Sequence, residues 1–251
     1  MKIVVIGGSG LTGSKLAAKL IQLEHTVIVA SPTSGINTVT GDGLHEALKG
    51  ADVVVDVSNS RSFDPRVILD FFQRSTMNLL TAEIYSGVKH HIGMSVVGAD
   101  RLPGNGFLRG KFEQEELVKE SGIPYSILRS TQLFESTGRM IQAGTVGEEI
   151  HVPPVPIQPV AADEVIAILK DIILAPPLNN TIEVAGPERM PMTEYLSYYL
   201  NVTDDPRRLV PDEHALYFGA ELKENSLIPG RNALLGKIRY DEWFPQQLAI
   251  K

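Results

Sequence analysis

The 251-residue chain contains no cysteine. That excludes disulfides, zinc–thiolate and iron–sulfur sites and a cysteine nucleophile, and it fits a reducing compartment. A basic tract is also missing. With 23 Lys and Arg against 30 Asp and Glu, the formal charge is −7, so direct nucleic-acid binding is not expected. No apolar run approaches the ~18 residues of a membrane helix. The apolar start at Ile3–Ile6 stops at Gly7-Gly8, with no cleavage site after an adequate apolar core, so it reads as a strand and not as a leader. The expectation is a cytoplasmic protein without membrane attachment. His90 and His91 are neighbours on a strand and point to opposite faces, so they cannot share a metal; no metal site is expected.

What is present is alternation. Ile3–Ile6 is a β-branched run suited to a strand covered on both faces. Leu16, Leu20 and Leu23 give Leu11–Leu23 a helical period. Strands follow at His25–Ala30, Asp52–Val57, Lys89–Val97 and Pro124–Leu128, with helices at Gly43–Lys49, Pro65–Ser86 and Phe107–Ser121 between them. Asp64 reads as an N-cap with Pro65 at the first helical position. Such β–α–β repetition implies an α/β fold with a parallel, doubly wound sheet.

After residue 130 the pattern loosens. Helices are expected at Thr131–Ala143, Ala161–Leu174 and Met192–Leu200, a hairpin at Thr145–Val152 and a short strand at Thr181–Val184. The proline-rich stretch His151–Pro159 reads as a loop closing over a cleft. The tail from Asp204 shows little period. Residues 131–251 would contribute most of a small substrate-side lobe within one domain spanning 1–251.

The strongest motif is Gly7-Gly8-Ser9-Gly10-Leu11-Thr12-Gly13, which follows a strand and opens a helix. One glycine permits the tight turn, Gly10 lets backbone approach a pyrophosphate, and Gly13 lets helix and strand pack closely. The amides of Ser9, Gly10, Leu11 and Thr12 then face the anion, aided by the helix dipole. At the end of the second strand, Ala30-Ser31-Pro32-Thr33-Ser34 carries no carboxylate to hold a ribose diol. Ser31, Thr33 and Ser34 offer hydroxyls to a 2′-phosphate, so NADP (NADPH) is preferred and NAD is the alternative. Ser58, Asn59 and Ser60, at the carboxyl end of the third strand, line the cofactor ribose in this reading. Asp42 falls near the adenine or on a surface loop.

With GGSGLTG at 7–13, DVVVDVSNS at 52–60, HHIGMSVVG at 90–98, the helix bearing Lys111 and GIPYSILRSTQLFE at 122–135, the chain resembles the NmrA-like NAD(P)H-binding branch of the atypical short-chain dehydrogenase/reductases. The resemblance implies a Rossmann-type sheet with a small C-terminal substrate-side subdomain. It also implies a serine that binds the substrate carbonyl and a Tyr-x-x-x-Lys pair on the next helix. Ser95 matches the serine and Lys111 the lysine. Phe107 stands where the tyrosine belongs, and phenylalanine has no proton to give.

Lys111 donating through water, Tyr125, or an acceptor that needs no protein acid would each repair that loss. Phe107, together with Gln132 and Phe134 beyond the fifth strand, is a substrate-pocket candidate. Glu113-Gln114-Glu115-Glu116 reads as a solvated helix face. Tyr198, Tyr199 and Trp243 read as packing residues, and Asp56 as a strand carboxylate bonded to a nearby loop. Two functions stay open. One is an NAD(P)H-dependent oxidoreductase passing hydride to a small acceptor such as a quinone or activated carbonyl. The other is a non-catalytic, NAD(P)-sensing regulator with a protein partner. The oligomeric state is open.

Overall fold

Ile3, Val4 and Val5 are fully buried because their strand has no solvent face. A computed structural model describes residues 1–60, 62 and 64–249 of the protein. In it Lys2–Ile6 (β1) lies between Thr26–Ala30 (β2) and Val53–Asp56 (β3), parallel to both. Leu11–Gln22 (α1) buries Gly13, Leu16, Ala17 and Leu20, one helical face. Leu44–Leu48 (α2) and Pro65–Ser86 (α3) follow. Asp64 caps α3, accepting from the Arg66 amide at 2.8 Å, and Gly87 ends it in the left-handed conformation. His90–Val96 (β4), Gly106–Glu120 (α4) and Tyr125–Ser130 (β5) complete the regular half.

Beyond it come Thr137–Gly144 (α5), Thr145–Val146 (β6), Glu149–Val152 (β7) and Pro156–Ile157 (β8). Ala162–Leu174 (α6), Asn180–Ala185 (β9), Met190–Pro191 (β10) and Met192–Val202 (α7) follow. The chain closes with Arg208–Pro211 (β11), Leu234–Leu235 (β12) and Tyr240–Ala249 (α8). The main sheet has seven strands in the order β12-β9-β5-β4-β3-β1-β2. It is the mostly parallel, helix-flanked, Rossmann-like sheet that the alternation implies. No helix among the described residues is long and apolar enough to cross a membrane.

The chain divides into two units. The first comprises Met1–Ser95, Arg109–Arg129 and Ile166–Ile182. Val4, Ile6, Leu48, Val54 and Leu79 form one of its cores, and Leu80, Val118, Ile123 and Ile127 another. The second comprises Val96–Leu108, Ser130–Val165 and the chain from Glu183 onward. Its core joins Phe134, Met140, Ile150, Met192, Tyr195, Tyr240 and Phe244.

Two expectations are corrected here, and the tail, for which no element was expected, gains its elements. Residues 131–133 are not helical: Thr131 N donates to Val184 O and Val160 N to Gln132 O, so the backbone is spent on neighbouring strands. A 3₁₀ turn at Phe134–Ser136 then precedes α5. The proline-rich stretch is not loop alone, since Pro156 and Ile157 pair antiparallel with Pro191 and Met190. The tail is ordered too. Tyr240, Trp243 and Phe244 share one face of α8, and Tyr240 meets Phe134 edge-on at 4.9 Å. Trp243 and Tyr199, read as packing residues, join the same aromatic cluster.

Candidate nucleotide site

The glycine loop lies wholly in the first unit, and Gly7, Gly8 and Gly13 are required by close backbone approach. A Cβ on Gly7, which sits at φ +75°, would stand 2.7 Å from Ser58 Cα. On Gly13 it would stand 2.5 Å from Gly7 O and 2.7 Å from Gly8 Cα. Gly10 is the N-cap of α1 and supplies no side-chain cap, so the first-turn amides are left to an outside acceptor. Ser9 and Gly10 are exposed, as an anion-binding loop requires. The Ser58 hydroxyl, against Gly7, is buried without a protein partner. The Gly10 amide, expected to face the anion, instead donates to Gly7 O at 3.0 Å; backbone that admits no Cβ at Gly7 and Gly13, a helix start without a side-chain cap and an orphaned hydroxyl fit a dinucleotide. Gly7, Ser9, Gly10, Leu11, Thr12, Gly13 and Ser58 are the residues that would hold it.

At the end of β2, Ser31 Oγ and Thr33 Oγ1 are 2.8 Å apart. Ser34 Oγ turns inward to the Val29 and Ser31 carbonyls at 3.1 and 2.9 Å. Of the three hydroxyls, Ser34's is thus committed to a local cap, while Thr33 stays exposed. Asn59 is exposed. Asp42 accepts from Thr40 Oγ1 at 2.5 Å, a loop contact.

The carboxyl ends of β3 and β4 hold a buried polar lattice. Asp56 accepts from Ser58 N and from Gln114 Nε2, both at 2.8 Å. Lys111 Nζ donates to Met94 O at 2.9 Å, Gln114 Oε1 at 3.0 Å and Ser58 O at 3.2 Å. It also lies 4.6 Å from the centre of the Phe72 ring. Burial lowers the Lys111 pKa to about 8, against the pull of Asp56 and Glu115. Ser95 Oγ donates to Glu115 Oε1 at 2.5 Å. Arg129 grips Glu115 with two bonds, at 2.8 and 2.7 Å.

The reading of 113–116 as a solvated face is therefore corrected. Gln114 and Glu115 are each 2% exposed. Lys111, Gln114, Glu115 and Val118 share one helical stripe, and that stripe faces inward. Ser95 and Lys111 are brought into the first unit's interior, where each donor is engaged by a protein oxygen. His90 and His91 serve structure, bonding Ser126 Oγ at 2.8 Å and Glu83 at 2.9 Å.

The three substrate-pocket candidates all belong to the second unit. Phe134 is 3% exposed and its ring is committed to the aromatic core, so it does not present a surface to a ligand. Phe107 is half-buried against the same core. Gln132 is 7% exposed, and its Oε1 is buried with no hydrogen-bond partner among the described residues.

Residues 7–171 match the profile of a family described as NAD(P)H-binding. The chain belongs to the NAD(P)H-binding family. Two curated relatives of this NAD(P)H-binding protein are distant. Photosystem II assembly factor Ycf39 of Synechocystis sp. is 24% identical over 143 residues, 51% of this chain and 44% of that one. A (4-alkanoyl-5-oxo-2,5-dihydrofuran-3-yl)methyl phosphate reductase of Streptomyces griseus is 26% identical over 149 residues, 54% and 49% of the two chains. The chain thus spans about half the length of the curated relatives it matches.

Solved structures agree in fold. A dTDP-4-dehydrorhamnose reductase of Clostridium acetobutylicum aligns over 99% of this chain and 100% of its own, with TM-score 0.74 and 15% identity. That of Bacillus anthracis, in complex with NADP, aligns over 95% and 90%, with TM-score 0.67 and 16% identity.

Proposed function

We propose that this protein is an NAD(P)H-dependent oxidoreductase of the NmrA-like type, acting on a quinone or an activated carbonyl. The observation that carries the acceptor class is the state of the three positions where the resemblance expects proton chemistry. Phe107 has no acidic proton, Ser95 donates to Glu115, and Lys111 spends its donors on Ser58, Met94 and Gln114. A simple ketone becomes a strongly basic alkoxide and needs an acid at hand. A quinone or conjugated carbonyl becomes a stabilised anion that water protonates. When bound, the reduced nicotinamide supplies the hydride. The chain's part is to hold the pyrophosphate on the Gly7–Gly13 loop and to fix Ser58 through Lys111 and Asp56. The alkanoyl and oxo groups in the name of the Streptomyces griseus reductase are of the same activated kind.

NADPH is the preferred donor, because the β2 end offers Ser31 and Thr33 hydroxyls and no carboxylate. Titration of NADPH and NADH, followed by turnover with a panel of quinones and aldehydes, tests the reading. Tighter NADPH binding with oxidation by quinones supports it; binding of neither nucleotide overturns it.

The engaged donors of Ser95 and Lys111 also favour a second reading, a nucleotide-sensing regulator that binds without turnover and acts on a protein partner. One relative is named as an assembly factor and not as an enzyme, which accords with that reading. Tight binding with no turnover on any acceptor decides for it. In either reading we place the protein in the cytoplasm.

A further inference from the structure

Asp56, Ser58, Lys111 and Gln114 close a ring of hydrogen bonds inside the first unit. Ser58 N donates to Asp56 Oδ1 and Gln114 Nε2 to Asp56 Oδ2, both at 2.8 Å. Lys111 Nζ donates to Gln114 Oε1 at 3.0 Å and to Ser58 O at 3.2 Å. All four residues are buried, Ser58 the least so at 8% exposed, so water competes little for these bonds. Only an amide can close such a ring, because Gln114 must offer a donor to a carboxylate and an acceptor to an ammonium at once.

The ring grips Ser58 by its main chain alone. Asp56 takes its N–H and Lys111 its carbonyl. Gly7 closes a third side, since a Cβ there would stand 2.7 Å from Ser58 Cα. The Ser58 hydroxyl takes no part. It is buried with no hydrogen-bond partner among the described residues, beside the loop that opens α1. A buried hydroxyl left unpaired is uncommon and demands a reason. Here it adjoins a helix start that has no side-chain cap, so the hydroxyl and the first-turn amides wait on the same outside partner.

We propose that Gln114 is a positioning residue of the nucleotide site: it holds Asp56 and Lys111 against the two ends of the Ser58 main chain, and so sets the Ser58 hydroxyl to bond the dinucleotide. The proposal rests on nucleotide binding alone, which both functional readings share. A hydroxyl fixed before the ligand arrives adds its bond without a cost of ordering. Gln114 lies three residues after Lys111, one turn of α4, which puts both side chains on the inward stripe.

Affinity for NADP⁺, measured by titration of the full chain, tests it, with melting points recorded alongside. Ser58→Ala leaves every bond of the ring in place. It should keep the parental melting point and bind about tenfold more weakly. Gln114→Leu should also lose about tenfold, but less than about twofold more when added to Ser58→Ala, because the glutamine acts through the hydroxyl. Gln114→Glu gives a readout that a merely structural role would not move. Its protonated carboxyl can donate to Asp56 and accept from Lys111, as the amide does, while its carboxylate cannot donate and faces a like charge. The other charged groups nearby are Glu115 with Arg129 and, beyond Asp56, the Glu83–His91 pair; the parent has them too, so they cancel in a ratio. Against the parent at the same pH, Gln114→Glu should bind equally at about pH 6 and about tenfold more weakly at about pH 8.5. Parental affinity in Ser58→Ala overturns the proposal, as does an equal loss from Gln114→Leu with and without the Ser58 hydroxyl. Should Gln114→Leu fail to fold, Gln114→Glu decides, and a ratio flat with pH overturns the proposal. A parent chain that binds neither NADP⁺ nor NAD⁺ fails the underlying reading and this proposal with it.

Discussion

Lys111→Met isolates the best-defined buried charge in the first unit. The folded chain releases the Nζ proton near pH 8, against 10.5 for the free side chain, chiefly because burial disfavours the cation. Between those values the unfolded chain holds more protons than the folded one. Raising the pH therefore favours the folded state. From pH 7 to pH 10 the gain is about 2.5 kcal/mol. The variant lacks this term, and every other group that titrates in the range cancels in the difference between the two proteins. At pH 7 the variant leaves Met94 O, Ser58 O and Gln114 Oε1 without their donor. Each orphan costs about 1–3 kcal/mol, partly offset by relief of the buried charge. Urea unfolding of both proteins at pH 7, 8, 9 and 10 is the assay. The stability difference should widen in favour of the parent by about 2.5 kcal/mol across the series. A difference flat with pH would refute the reasoning, since it would mean Lys111 titrates alike in both states.

Gly13→Ala drives a Cβ to 2.5 Å from Gly7 O and should weaken NADPH binding at least about tenfold, read by titration. Glu83→Ala removes the carboxylate that bonds buried His91 Nδ1, while its Nε2 has no hydrogen-bond partner among the described residues. Burial raises the Glu83 pKa; burial works against the His91 cation, but Glu83 outweighs it. The pair holds a proton between them, and its loss should cost about 3–5 kcal/mol, a melting point lower by about 10 °C. Phe107→Tyr should leave ketone reduction unchanged, because Ser95 and Lys111 are already engaged with Glu115, Ser58, Met94 and Gln114. A gain in ketone turnover would show that those bonds yield to substrate.

The sheet was legible because its strands are covered on both faces, which forces runs such as Ile3–Ile6, and because its helices carry caps such as Asp64 and Gly87 that act locally. The glycine loop was legible for a similar reason: the closest constraint on Gly13 lies within seven residues of chain, although Gly7 and Gly8 also meet Ser58, Val5 and Val29. What escaped notice depends on partners far along the chain. Residues 131–133 look helical until Val184 and Val160 take their hydrogen bonds. Glu115 looks like a surface acid until Arg129 and Ser95 close on it. The 111, 114, 115, 118 stripe was present in the sequence; charge identity outweighed period in reading it. Tyr240, Trp243 and Phe244 likewise sit at helical spacing, in a tail where Pro245 and scattered polar residues hid the signal.

The buried lattice bears on which function the fold can support. A buried carboxylate is tolerated only when its partners outlast the loss of water. Glu115 has a bidentate arginine and a serine, and Asp56 has a backbone amide and a glutamine. Such a network fixes the carboxyl ends of β3 and β4 rigidly and leaves little room for Ser95 to change partner. Rigidity there suits nucleotide binding, which needs the cradle in place beforehand. Proton delivery is a separate demand, and the donors of Ser95 and Lys111 are already engaged within that lattice.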